Sequence, residues 1–130
     1  MDLGTKTLGL AISDKQGIIA SPYKLIKYNN MDDAVNEVLK IIEKEKVENL
    51  VLGLPKNMNG TIGERGEYIL KFKELLESEL GYDVVLEDER LTTKVAENIL
   101  INADMSRKKR KKVIDKMAAT VILQGYLDRL

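Results

Sequence analysis

The chain has 130 residues, 44% of them hydrophobic and 32% charged, and its 21 basic and 21 acidic side chains give a net charge of zero. This is typical of one globular domain with a buried core, and no apolar run approaches the roughly 20 residues that span a bilayer. The absence of cysteine excludes disulfides and thiolate zinc sites and agrees with a cytoplasmic location. The absence of histidine excludes histidine-based catalysis, so any hydrolysis must depend on carboxylates, lysines and a hard cation.

The first 28 residues predict an antiparallel meander of three strands. Apolar and small residues alternate over Thr7–Ser13, after the short apolar start of the chain. A strand-like pattern continues over Ile18–Tyr28 with a break at Ser21–Pro22, and Gly17 provides the turn between the second and third strands.

The rest of the chain alternates between helices and strands. The predicted elements are a helix from Met31 to about Glu45 capped by Asn30, a strand over Asn49–Gly53, a helix from about Ile62 to Leu80 ended by Gly81, a strand over Tyr82–Asp88, and helices over about Thr93–Asn102 and Val113–Leu130. The near-continuous apolar run of the fourth strand is typical of a parallel sheet. This order predicts an α/β fold in one domain over residues 1–130, with a mixed sheet covered by helices.

Asp2 opens the segment DLGTKTLG, in which glycines and small hydroxyl residues follow an acid. Here a strand enters a tight hairpin, and Gly4 and Gly9 allow the backbone to turn sharply or to approach a phosphate. An isolated acid near a terminus is usually a solvated charge. A functional role for Asp2 therefore depends on partners elsewhere in the chain.

Two other acidic features could reach the sheet edge at which open α/β proteins bind ligands. Glu87–Arg90 closes the last strand, and Asp115 precedes Ala118 and Ala119 in the last helix. Small residues one turn after Asp115 would let the helix lie close to the sheet; alternatively, this is a first-turn acid favoured by the helix dipole. Carboxylates that converge can hold Mg²⁺ or Mn²⁺ for phosphodiester hydrolysis.

Two segments are candidate contacts for nucleic acid. The run Arg107–Lys112 is six consecutive cations, and residues 104–130 carry a net charge of +5 against −5 for residues 1–103. The run either contacts phosphates or is a solvated, mobile connection before the last helix. The loop Gly53–Gly60, with Lys56 and Asn57, is either a plain strand-to-helix connection or a phosphate contact.

Four blocks of the sequence together resemble the YqgF/RuvX family of RNase H-like proteins, which are relatives of Holliday junction resolvases. These blocks are DLGTKTLGLAISD (2–14), LVLGLPKNMNGTIGERG (50–66), DERLTT (88–93) and DKMAATVILQGYL (115–127). The resemblance covers nearly the whole chain. It implies a five-stranded mixed sheet, made of a three-strand antiparallel meander plus two parallel strands and flanked by helices.

The resemblance also implies a function and a site. The family is described as a nuclease that matures the 5′ end of 16S ribosomal RNA, and junction resolution is the older proposal. Catalytic and metal-ligand roles are implied for Asp2, Glu89 and Asp115 with Mg²⁺ or Mn²⁺; Glu89 is preferred to its acidic neighbours because it holds the Glu of the Asp-Glu-Arg motif. The residues expected to contact nucleic acid are Lys6, Lys56, Asn57, Arg90, Arg107, Lys108, Lys109, Arg110, Lys111 and Lys112.

The expected partner is structured RNA such as a ribosomal precursor, with a four-way DNA junction as the alternative. We expect no membrane contact, and we expect the protein to be a monomer or a homodimer. Two other functions remain open. The opening segment also resembles the phosphate-binding turn of sugar kinases and actin-like ATPases, which need two such domains, and a non-catalytic RNA-binding assembly factor would use the same basic run. Relatives usually carry several apolar residues before the first Asp, so we expect that residues before Met1 are missing from this sequence.

Overall fold

Five strands and three helices make up the part of the chain described by the computed structural model, which covers residues 1–55, 62–88 and 106–130, with the backbone alone at 107–116. The elements are β1 (Asp2–Leu3), β2 (Thr7–Ser13), β3 (Ala20–Lys27), α1 (Met31–Glu45), β4 (Val51–Leu54), α2 (Glu64–Leu80), β5 (Val85–Asp88) and α3 (Arg107–Asp128). The helix predicted over 93–102 lies outside the described residues.

The strands form one mixed layer in the order β3-β2-β1-β4-β5. The first three are antiparallel neighbours, and β4 and β5 are parallel. Met1 joins the two parts, because its amino group donates to the Val51 carbonyl at 2.6 Å and its carbonyl accepts from the Gly53 N–H at 2.9 Å. The predicted α/β fold, with a three-strand meander plus two parallel strands, is confirmed.

The predicted break in β3 is a local irregularity within the strand. Leu10 pairs with Lys24 and Ala11 pairs with Pro22, so the register shifts and Tyr23 has no partner across the ladder. A proline lacks the N–H that a ladder needs, and it is tolerated here because β3 is an edge strand with a bulge.

Helices α1 and α2 cover one face of the sheet. The Asn30 side chain accepts a hydrogen bond from the Asp33 N–H at 2.9 Å, which confirms the predicted cap of α1. Gly81 ends α2 with a φ of +79°, a conformation that glycine adopts readily. The core packs between these helices and the sheet, and its fully buried members are Leu3, Leu8, Ala34, Leu52, Ile69, Phe72 and Leu76.

Helix α3 lies on the other face and contacts all five strands. Its buried residues include Ala119 and Ile122. The helix begins at Arg107 and not at about Val113, so the interpretation of the basic run as a connection before the last helix is wrong. Lysine and arginine are strong helix formers, and the helix therefore continues through the run. No helix in the three described ranges is long and apolar enough to cross a membrane.

Two carboxylates in the fold make stability depend on pH. Asp14 accepts hydrogen bonds from the Ile18 and Ile19 N–H groups, at 2.8 and 3.2 Å, and these bonds lower its pKa. Hydrogen bonds from the Lys73 ammonium and then from the Val84 N–H lower the pKa of Glu77.

We therefore expect the melting temperature to be constant between pH 7 and 5 and to fall as the pH drops below about 4, where carboxylates of the unfolded chain begin to protonate. A carboxylate with a lowered pKa contributes its stabilisation above that range and loses it as the folded group protonates. Differential scanning calorimetry of wild type, Asp14→Asn and Glu77→Gln checks this. Each variant should show a shallower acid slope, and slopes equal to wild type would contradict the assignment.

Candidate functional site

Asp2 lies in a row of paired residues that crosses the sheet, and its neighbour in the row is a glycine on each side. It pairs with Gly9 on β2, and the hydrogen bond from Gly53 to the Met1 carbonyl places Gly53 beside it on β4. Gly53 in turn pairs with Glu87 on β5. Because adjacent residues in a row project from the same face, the Asp2 side chain has no neighbouring side chain on either flanking strand.

The face that carries the Asp2 side chain is the one covered by α3. A Cβ built on Gly9 would lie 3.8 Å from the Ala119 Cβ and 3.9 Å from the Asp2 Cβ. The helix thus approaches the sheet closely at a glycine and an alanine, as the small residue at position 119 predicts. Residue 115 precedes Ala119 by four residues, which is about one turn of the helix.

The carboxylate of Asp2 is largely buried, with 20% of its side chain exposed. Its ion-pair partner among the described residues is Arg65, whose guanidinium Nη2 lies 3.6 Å from Asp2 Oδ1. This distance exceeds that of a direct hydrogen bond. Within those residues no group donates a hydrogen bond to the carboxylate, whose oxygens are of the kind that hard cations prefer as ligands.

A pair of tyrosines holds the turn that follows Asp2. The Tyr28 hydroxyl donates to the Gly4 carbonyl, and the Tyr68 hydroxyl on α2 then donates to the Tyr28 oxygen at 2.8 Å. Burial, and the hydrogen bond with Tyr68, raise the pKa of Tyr28, so this hydroxyl stays a neutral donor. The Gly4 N–H also closes the turn onto the Thr7 carbonyl at 2.8 Å.

Glu87 is the buried acid of the row, with 4% of its area exposed. Arg129, just after the end of α3, forms an ion pair and a hydrogen bond with its carboxylate. A buried carboxylate needs such a partner. The charge of Glu87 is therefore already compensated within the protein.

The predicted site residues are only partly covered by the structure. Lys6 is exposed in the turn between β1 and β2, and Asp115 and the basic run lie on α3, where the backbone alone is described. Glu89, Arg90, Lys56 and Asn57 lie outside the described residues. Among the residues that are described, no three acidic side chains converge on a possible metal position.

Arg65 was not predicted from the sequence. It lies within the block GTIGERG at the start of α2, and this block suggested a phosphate contact only for the preceding loop. Nothing in the spacing of the sequence indicates that the first turn of α2 reaches Asp2. The contact depends on tertiary packing, since α2 packs against β4, the strand next to β1.

The chain is similar to known proteins over nearly its whole length. The family RuvX, described as Holliday junction resolvase, matches residues 1–129. A protein of Clostridioides difficile is 52% identical over 128 residues, covering 98% of this chain and 91% of the relative. One of Bacillus subtilis is 54% identical over 132 residues, covering 100% and 96%. Both relatives bear the name "Putative pre-16S rRNA nuclease". This chain therefore belongs to the RuvX family.

Proposed function

We infer that this chain is a nuclease that cleaves phosphodiester bonds at the 5′ end of precursor 16S ribosomal RNA. Support comes from the names of relatives that are 52% and 54% identical to it. The observation that carries the proposal is the largely buried Asp2 carboxylate, which lies between two glycines and accepts no hydrogen bond from the described residues. A ribosomal RNA precursor would meet this protein in the cytoplasm.

The residues proposed to hold a divalent cation are Asp2, Glu89 and Asp115, with Mg²⁺ or Mn²⁺ as the ion. Their carboxylate oxygens are the ligands that such hard cations prefer. The ion would supply an activated water and stabilise charge on the leaving oxygen. Glu87 is left out of this set because its carboxylate is buried and hydrogen-bonded to Arg129, and Glu89 is chosen from the family resemblance.

The chain itself would position the substrate. Gly9 lets Ala119 of α3 approach the sheet beside Asp2, and the tyrosine pair fixes the turn that carries Lys6. We propose that Lys6, Lys56, Asn57, Arg90 and the cations of Arg107–Lys112 contact phosphates. Such contacts give affinity and salt dependence without sequence specificity.

A second substrate, the four-way DNA junction, is favoured by the description of the matching family. Symmetric cleavage of two strands would require a homodimer with a two-fold axis, whereas cleavage of a precursor RNA end requires only a monomer. A non-catalytic RNA-binding protein would retain affinity for RNA and show no cleavage.

In the test, wild type and Glu89→Gln are each incubated with Mn²⁺ and, in parallel reactions, with a precursor 16S RNA 5′ end or a four-way DNA junction. We expect cleavage of the RNA by wild type and none by Glu89→Gln, while Glu43→Gln, an exposed control on α1, cleaves like wild type. Preferential cleavage of the junction would replace the RNA proposal with the second one. Binding of the RNA without any cleavage would overturn the proposal that this chain is a nuclease.

A further inference from the structure

The environment of Arg65 differs from that of a structural arginine. Its guanidinium is the one cation that the described residues place beside Asp2, yet the two groups are 3.6 Å apart and 53% of the arginine side chain is exposed. A structural arginine–carboxylate pair is commonly bidentate, with nitrogen–oxygen distances of about 2.7–2.9 Å. Arg65 therefore balances the charge of Asp2 without being fixed to it.

The position of Arg65 also relates it to the substrate. It lies in the first turn of α2, three residues before Tyr68, which holds the turn after β1. The same turn presents the exposed Lys6. A phosphate next to Asp2 would thus lie beside the Arg65 guanidinium, which suits a phosphate because its planar donors bind two oxygens at once.

We propose that Arg65 exchanges partners during the reaction: it pairs with Asp2 when no divalent cation is bound and moves to a phosphate of the nucleic acid when the cation takes its place. The inference rests on the proposed function, since it needs Asp2 as a cation ligand. Both ions compete for the same carboxylate, so binding of one weakens binding of the other. Arg65 would therefore weaken cation binding by the free protein and strengthen substrate binding by the loaded protein.

The first measurement is Mn²⁺ binding by calorimetry in the absence of nucleic acid. Arg65→Gln should bind Mn²⁺ about two- to fivefold more tightly than wild type, because the Arg65 side chain is half exposed and such ion pairs contribute little free energy. Arg65→Lys keeps the charge and should stay near wild type. Lys71→Gln, an exposed change of the same charge on the same helix, should leave the affinity unchanged.

The second measurement is binding of the precursor RNA end by fluorescence anisotropy with Ca²⁺, which takes the same oxygen ligands. Arg65→Gln should weaken binding about tenfold, as expected for loss of a hydrogen bond to a charged group. The slope of log affinity against log salt should fall by about one. Arg65→Lys should recover the slope, and Lys71→Gln should match wild type in affinity.

The proposal requires that Arg65→Gln both binds Mn²⁺ more tightly and binds the RNA more weakly than wild type. Mn²⁺ affinity that is unchanged or weaker in Arg65→Gln, or RNA affinity equal to wild type, would overturn the exchange and leave Arg65 as a structural partner of Asp2. The wild-type protein tests the proposed function separately. If it neither binds Mn²⁺ nor cleaves nucleic acid, the proposed function fails; if it does both while Arg65→Gln behaves identically, only the inference about Arg65 fails.

Discussion

Replacing Asp2 with asparagine is expected to lower kcat for cleavage of the precursor RNA by about 10²–10³-fold or more, the range for loss of one group that stabilises transition-state charge. Asparagine has nearly the same shape as aspartate, so β1 and its pairing with Gly9 should persist. The change removes an anionic cation ligand in a largely buried position. Steady-state kinetics with Mn²⁺ on purified variants measure the effect.

The matched control for this experiment is Asp83→Asn, which alters an exposed acid before β5. It should retain wild-type kcat, and both variants should have circular dichroism spectra like that of the wild-type protein. Asp2→Asn with full activity would refute the assignment of Asp2 as a ligand. Part of the lost rate should return as the Mn²⁺ concentration is raised, because a weakened site is filled again by mass action.

Replacing Phe72 with alanine is expected to lower the free energy of unfolding by about 3–5 kcal/mol, the usual cost of truncating a buried phenylalanine. Phe72 has none of its area exposed. It lies in the core with Leu3 of β1 and Leu52 of β4, and these strands belong to the two parts of the sheet that Met1 joins. Urea denaturation measures the change from the midpoint at constant slope.

The control on the same helix is Lys71→Ala. This residue is exposed, so its replacement should change stability by less than about 0.5 kcal/mol. A loss of under about 1 kcal/mol in Phe72→Ala would show that the core can rearrange around the missing ring. That result would contradict the close packing described for the face of the sheet that α1 and α2 cover.

Elements with local determinants were predictable from the sequence. The bounds of α1 follow from the Asn30 cap and a buried stripe of small and branched residues. Gly17 and Gly81 both adopt positive φ, as expected where a hairpin turns and a helix ends. The alternation along β2 predicted its strand, since a period of two is specific to a half-buried sheet.

Features that depend on tertiary packing were not predictable in the same way. The start of α3 was misplaced because the last helix was predicted only from about Val113, although lysine and arginine have high helix propensity and the helix begins at Arg107. The contacts of Asp2 with Arg65 and of Glu87 with Arg129 join residues far apart in the chain. The roles of Glu89 and Asp115 remain predictions from the family resemblance.

The contacts of α3 have a consequence for the order in which the fold is completed. Among the described elements α3 is the last in sequence, and it holds the connection between β2 and β3 through Gln124, whose side chain accepts from the Ala20 N–H and donates to the Ile18 carbonyl. The Ala20–Gln124 bond joins residues 104 positions apart. During synthesis, the connection between β2 and β3 therefore lacks these two hydrogen bonds until residue 124 has left the ribosome.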